Sequence, residues 1–422
     1  MNVAHVQSGC GCDHDQTLTE MMSVDEALHR ALAQVQPLTD MQSVALGDAI
    51  DRITANPIFA PAAMPFFDNS AMDGFALCCA DLARLDALPI AGTVAAGDAP
   101  VALELGTALR IFTGAPLPEG ADAVVMVERC LEIDGEVSFA ITPNPGDNVR
   151  RAGSDQAAGQ ELLRAGTRIA PHQIGLLAAN GIERVDVIRR PRVAIFSTGD
   201  EICTGPRAAG QIPDANRPML IALARQTGAE VTDLGILPDN ADATAAALRK
   251  LGNAYDLILS SGAVSMGGKD HIRTALMAAG GTVQGWRVAL KPGKPVMFGA
   301  IGRTAFTGLP GNPFAVHVGF HLFAGPQIAR LSGAVPTAFA PVPAISGFDW
   351  TRTSGRAEVF PVRLLHHDAG LPVLERLGHS VSATLLPVAH ADGLAIVSAD
   401  TATLRCGDAL RWQPFCPTTG VQ

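Results

Sequence analysis

The chain has 422 residues, more than a single growing hydrophobic core accommodates, so two to four domains are expected. A net charge of −10 argues against a nucleic-acid surface, because phosphate backbones are held by clustered Lys and Arg. Hydrophobic residues make up 48% of the chain but are scattered, with His317 and His321 interrupting the 314–324 run, and none of the uninterrupted runs reaches the roughly 20 residues of a membrane span.

Residues 1–20 form a polar tail expected to be disordered. Cys10, Cys12 and His14 within it could ligate a metal, but no second cluster completes the set. The eight cysteines are spread along the chain with no secretory leader, which points to reduced thiols in the cytoplasm. Order should begin near Ser23, where Ser23-Val24-Asp25-Glu26 has the form of a capping box. Val24, Ala27, Leu28, Ala31 and Leu32 then repeat at helical spacing.

From about Pro65 to Asp155 the pattern changes to short apolar runs between glycines and prolines, such as Ile111-Phe112 and Ala123 to Val127, and reads as a small β-rich domain. Two polar loops stand out there, Asp68 to Gly74 and Thr113 to Pro116. Asp, Asn and Gly also favour ordinary turns, so neither loop alone marks a site.

From Arg192 to about Gly333 strands and helices alternate. Val193 to Phe196 is a strand ending in Ser197-Thr198-Gly199-Asp200-Glu201, followed by a helix near 215–227. Val231 to Leu237 ends at Pro238-Asp239, with a helix over 241–251 behind it. Asp256 to Leu259 runs into the 260–270 loop, whose Asp270 can cap the next helix. Val296 to Phe298 and Thr304 to Phe306 add strands, and Gly308 to Asn312 opens a last long helix. Such alternation demands a doubly wound, mostly parallel sheet with helices on both faces. The polar loops then fall at strand carboxyl ends, where open α/β sheets bind ligands. Residues 341–422 return to short β-like runs and read as a small barrel or sandwich.

The cations sharpen the site. There are four lysines against twenty-seven arginines, and two of the four, Lys291 and Lys294, share the loop Lys291-Pro292-Gly293-Lys294-Pro295. A compact ammonium on a flexible stem is chemically distinct from the guanidinium used elsewhere. The 260–270 loop fails as a P-loop, since Ala263 stands where a Gly and Asp270 where a hydroxyl is needed. A glycine-rich turn at a helix N-terminus remains, with Ser261, Gly262, Ser265 and Gly267, able to hold phosphate through backbone N–H groups. Glu201, Asp239 and Asp270 are hard oxygen donors suited to Mg²⁺ bridging a phosphate, although capping is a competing explanation for Asp270. A nucleophile elbow and zincin spacing are both lacking.

Taken in order, Phe67-Asp68-Asn69-Ser70-Ala71-Met72-Asp73-Gly74, Ile111-Phe112-Thr113-Gly114-Ala115-Pro116, Phe196 to Glu201, Ser260 to Ser265, Lys291 to Pro295 and Gly308-Leu309-Pro310-Gly311-Asn312-Pro313 resemble the molybdopterin molybdenumtransferase family of the bacterial MoeA type, over residues 21–415. The resemblance implies a linker domain from 21–66 and 156–190, with part of 40–58 able to pack on the α/β domain. A β-rich domain over 67–155, an α/β molybdopterin-binding domain over 191–340 and a C-terminal β-barrel over 341–422 complete it. It implies a homodimer with the active cleft shared between subunits, attachment of molybdate to the dithiolene of adenylylated molybdopterin with release of AMP, and Mg²⁺ as helper. A molybdopterin adenylyltransferase and recipient molybdoenzymes are its candidate partners.

Carried over position by position, the family's functional residues match Asp73, Thr113, Asp155, Glu201, Asp239, Asp270, Lys291, Lys294 and Ser382, and its cofactor-binding loops include Gly308, Gly311 and Asn312. Departures from the pattern are Ala263 for Gly, Arg287 for Lys, Ala315 for Ser and Pro361 for Arg, with Arg363 a candidate replacement for the last. The alternatives are the preceding adenylylation of molybdopterin, which relatives of the α/β domain perform, and a non-catalytic molybdopterin-binding scaffold.

Overall fold

The computed structural model describes residues 21–262, 271–284, 287–335, 342–378 and 381–415. Cys10, Cys12 and His14 lie outside them. The chain divides into two compact units, Ser43–Val187 and the remainder, Met1–Gln42 with Ile188–Gln422.

In the larger unit the first helix is Val24–Ala33, and its Ser23 Oγ accepts from the Glu26 N–H at 3.1 Å. The returning half of the capping box is replaced by an ion pair, since Glu26 Oε1 accepts from Arg30 at 2.7 Å. Ala27 and Ala31 are fully buried against the α/β sheet, where Gln327 Nε2 donates to the Ala31 carbonyl at 2.9 Å.

That sheet has six strands in the order Glu230–Leu237, Arg192–Thr198, Leu257–Ser261, Thr304–Leu309, Met297–Ile301 and Thr282–Gln284. The first four are parallel to their neighbours. Strand 297–301 alone runs against its neighbours, because only Gly302 and Arg303 separate it from strand 304–309. A two-residue link makes a hairpin, whereas a parallel return needs a crossover of a dozen residues or more.

Side-chain alternation along the strands divides the core between two faces. Val193, Ile195, Leu257 and Leu259 pack with Leu220 and Ala224 of helix Asn216–Gln226 and with Phe314, Val318 and Phe323 of the last long helix. Ala194, Phe196 and Ile258 face Ala245 and Leu248 of helix Ala241–Leu251 and Ile272 and Leu276 of helix His271–Ala278. The sheet is thus doubly wound, as the alternation predicted.

The C-terminal strands close on themselves. Ala357–Asp368, Leu371–Arg376, Val342–Ser346, Ala409–Pro414 and Gly393–Val397 are neighbours in that order, and the last pairs again with the first. A barrel, not a sandwich, results, filled by Phe360, Val362, Leu374, Ala395 and Leu410. Leu290–Lys291 adds a short parallel strand to its edge, with Lys291 opposite Glu358.

The smaller unit holds a six-stranded sheet in the order Ala123–Met126, Gly74–Leu77, Ala108–Ile111, Ala87–Val94, Glu136–Phe139 and Cys130–Ile133. Gly74 permits the pairing of strands 74–77 and 123–126, since a Cβ there would stand 1.9 Å from the Val125 carbonyl oxygen. A separate cluster of Ala49, Leu163, Ile169, Leu177, Val185 and Val187 joins the two flanking segments of this unit. Among the described residues, no helix is long and apolar enough to cross a membrane.

The last long helix carries two imidazoles, His317 and His321, with ring centroids 4.7 Å apart and Phe415 against both. His317 Nδ1 and His321 Nε2 are buried without hydrogen-bond partners. Burial, and to a lesser degree His321, pulls His317 down to about 3; burial alone pulls His321 down to about 4. In the unfolded chain such rings titrate near 6.5, so the unfolded state takes up protons first. Stability intact above about pH 6.5 should fall as the pH drops toward about 4, by up to about 1.4 kcal/mol per pH unit for each ring. Urea midpoints measured from about pH 7.5 to about pH 5 check this. The decline should be flatter in a His317→Phe/His321→Phe variant, and an equal decline in both proteins would contradict it.

Candidate functional site

The parallel strands end nearly level. Thr198 stands opposite Leu237, Ser197 opposite Ser261, and Ser261 opposite Leu309, so the four following turns leave one edge together. Two constraints hold the edge tight. Gly262 has φ +96°, and a Cβ on it would lie 2.3 Å from the Thr198 carbonyl oxygen, so only glycine fits. Asn216, first residue of its helix, donates through Nδ2 to Ser261 Oγ at 2.8 Å and to the Gly311 carbonyl at 2.7 Å. The 261–262 and 308–312 turns are thereby tied. Asn216 Oδ1 and Ser260 Oγ are buried there with no hydrogen-bond partner.

Asp239 follows the outermost parallel strand, accepts from Thr198 Oγ1 at 3.3 Å and lies 3.8 Å from His271 Nε2. Glu201 is exposed after the neighbouring strand, and its backbone carbonyl accepts from the Ile212 N–H at 2.7 Å. Asn312 Nδ2 donates to Ser382 Oγ at 2.9 Å, and the Phe314 N–H donates to the Ser382 carbonyl at 3.0 Å. Asn312 and Ser382 are thus brought together although seventy positions separate them. Ser265, Gly267, Asp270 and Ala263 lie outside the described residues.

The lysine loop has a different origin from the others. Lys291 ends a strand of the barrel edge and not of the α/β sheet, with its side chain 41% exposed and Nζ 3.5 Å from Glu358 Oε1. Lys294 is half-buried, and its carbonyl accepts from the Val288 N–H at 2.9 Å.

In the smaller unit Asp73 Oδ1 accepts from both the N–H and the Oγ1 of Thr113, at 2.7 and 2.8 Å. The two polar loops of the β-rich sheet therefore meet. These bonds, the backbone one first, hold the Asp73 carboxyl below the usual aspartate value. Asp155 is exposed, and its N–H donates to the Met64 carbonyl at 3.0 Å. A depression of about 270 Å³ between the 56–59 and 182–186 segments contains none of the expected site residues.

The comparisons with known proteins decide the family. Residues 22–181 match the MoeA N-terminal region (domain I and II), 194–330 the probable molybdopterin binding domain, and 343–415 the MoeA C-terminal region (domain IV). The molybdopterin molybdenumtransferase of Haemophilus influenzae is 34% identical over 94% of this chain and 99% of its own length. The chain belongs to the MoeA family of molybdopterin molybdenumtransferases. The Bacillus subtilis molybdopterin molybdenumtransferase is 32% identical over 90% of each chain. A solved molybdopterin biosynthesis MoeA protein from Pyrococcus horikoshii superposes with a TM-score of 0.79 at 26% identity, over 93% of this chain and 99% of that one.

Against the MoeA pattern, the departures have specific surroundings. Ala315 is 1% exposed within the core, and Pro361 occupies a barrel strand opposite Leu394. Arg363 is committed elsewhere, forking onto Glu375 Oε2 at 2.6 and 3.1 Å. Asn216 and Glu358 escaped the sequence reading. A polar Asp214-Ala215-Asn216 run opening a helix was the only signal for the first, and none existed for the second.

The Asp73 pair makes a direct expectation. Its carboxyl should titrate below the ordinary aspartate value, and Thr113→Val, which keeps the backbone N–H, should raise it only part of the way. Carboxylate carbon shifts followed by NMR across acid pH read this. Ordinary titration in the unaltered protein would contradict the geometry.

Proposed function

We propose that this MoeA-family chain is a molybdenum insertase, which attaches molybdate to the dithiolene of adenylylated molybdopterin with release of AMP. The observation that carries this reading is the near end-to-end similarity to molybdopterin molybdenumtransferases, through the N- and C-terminal regions as well as the α/β domain. Adenylylation alone would leave those outer regions without a role.

In this reading the 261–262 turn and the Gly308–Asn312 turn cradle the adenylylated ligand. Lys291 and Lys294 supply positive charge to molybdate or to the phosphate, and Ser382, held by Asn312, adds a hydroxyl. The residues fit a magnesium ion of the phosphate-bridging kind. Asp239 and Glu201 follow adjacent parallel strands and are hard oxygen donors. Mg²⁺ takes one or two carboxylates and leaves its other positions to phosphate and water. When bound, it would neutralise the departing phosphate, and Asp270 would complete the set. Thr198 Oγ1 orients Asp239 for this task.

The reading also includes a homodimer and an active cleft to which one subunit contributes Asp73, Thr113 and Asp155 and the other its lysines. The four-domain division expected from the sequence belongs to the same proposal.

Incubation of the purified protein with adenylylated molybdopterin, Mg²⁺ and molybdate should release AMP in proportion to molybdenum bound. ATP consumption would favour the adenylyltransferase alternative, and ligand binding without molybdate-dependent turnover the scaffold. For the shared cleft, Asp73→Ala and Lys291→Ala subunits, each impaired at limiting molybdate, should form mixed dimers with one intact cleft and approach half the unaltered activity there. No recovery in verified heterodimers would contradict the trans arrangement.

A further inference from the structure

Glu358 carries no role in the reading above, yet its carboxylate is 2% exposed beside the lysine loop. Oε2 accepts from Arg352 Nε at 3.1 Å. Arg352 is itself 4% exposed and donates through Nη1 to the Ser398 and Thr401 carbonyls at 3.0 and 2.6 Å and through Nη2 to that of Arg356. The guanidinium therefore cannot swing away. Oε1 is sealed from solvent with no hydrogen-bond donor, and Lys291 Nζ stands 3.5 Å from it. The parallel pairing of Lys291 with Glu358, anchored by the Ala357 N–H donating to the Ala289 carbonyl at 2.8 Å, fixes the two backbones.

Arg352 pairs directly with Glu358 and Arg376 also feels its charge, so neutralisation does not require the lysine. A buried carboxylate oxygen left without a donor is costly, and the cost is met in part by keeping an ammonium near it. At 3.5 Å the ammonium is beyond an ordinary hydrogen bond and partly in solvent. It is tethered to one side while its other donors stay available. We infer that Glu358, locked by Arg352, is a positioning residue that aims the Lys291 ammonium at the oxyanion substrate. The inference rests on the reading of Lys291 as an anion partner.

The test is a double-mutant cycle in molybdate-dependent AMP release, with Glu358→Gln, Lys291→Ala and the two combined, alongside thermal melts. Glu358→Gln keeps an oxygen for Arg352 and removes the charge facing Lys291. It should raise the molybdate concentration for half-maximal rate by roughly tenfold, with a smaller change in kcat and a little-altered melt. Lys291→Ala should raise it further, and the combined variant should match Lys291→Ala alone, because Glu358 acts through the lysine. An equal Glu358→Gln effect in the Lys291→Ala background would assign Glu358 a merely structural role and overturn the inference. Impaired Lys291→Ala with unaltered Glu358→Gln would overturn the inference and leave the lysine reading standing. Unaltered molybdate dependence in Lys291→Ala would overturn both. Should Glu358→Gln not fold, Glu358→Asp draws the carboxylate back by about 1.5 Å and is read in the same cycle.

Discussion

The candidate groups at the edge of the α/β sheet take their places from one arrangement, the level ending of parallel strands. Because Thr198 pairs with Leu237, Ser197 with Ser261 and Ser261 with Leu309, the turns after these strands leave the sheet at nearly one height. Gly262 then lets the central turn press onto the Thr198 carbonyl, where any side chain would collide. Backbone N–H groups and small polar side chains are thus concentrated on an edge with little bulk, which suits a ligand carrying phosphate. Asn216 ties two of the turns, so the edge is a braced surface and not a set of independent loops.

The chain divides its cations by task. Arginines serve the framework: Arg189 forks onto Asp256 at 2.7 and 2.9 Å and also holds Asp40, while Arg217 joins Asp214 and Asp233. The bonds to Asp256 and Asp40 raise the Arg189 pKa, and the Arg189 contact lowers that of Asp40. Planar, always charged forks suit such fixed pairs. Lysine is kept for other positions. Lys250 lies in the last turn of its helix, where it favours the dipole, and Lys291 and Lys294 lie in the 291–295 segment at the barrel edge. The Lys291 ammonium is partly exposed beside a buried Glu358 that Arg352 holds.

Local signals made much of this legible from sequence. Helix Ala241–Leu251 matched its predicted span, and the strands at 192–198 and 257–261 were marked by apolar runs bounded by Ser, Thr and Gly. The barrel was legible as short strands, but its closure depends on the 357–368 strand pairing with partners on both sides, which periodicity cannot show. The membership of Lys291 in the barrel edge was equally hidden, since two residues carry no strand signal of their own. Asn216 and Glu358 were missed because their importance lies in what they touch, 45 and 67 positions away. The meeting of Asp73 with Thr113 was foreshadowed only by two polar loops, and their hydrogen bonds needed the sheet pairing of strands 74–77 and 108–111.

The central claim, that the lysine loop receives the oxyanion, is tested most directly by a crystal structure grown with molybdate and AMP and phased for molybdenum. The account places the anomalous peak within hydrogen-bond reach of Lys291 or Lys294, with AMP phosphate at the 261–262 turn. A well-occupied molybdenum peak away from both lysines, with that loop empty, would contradict it.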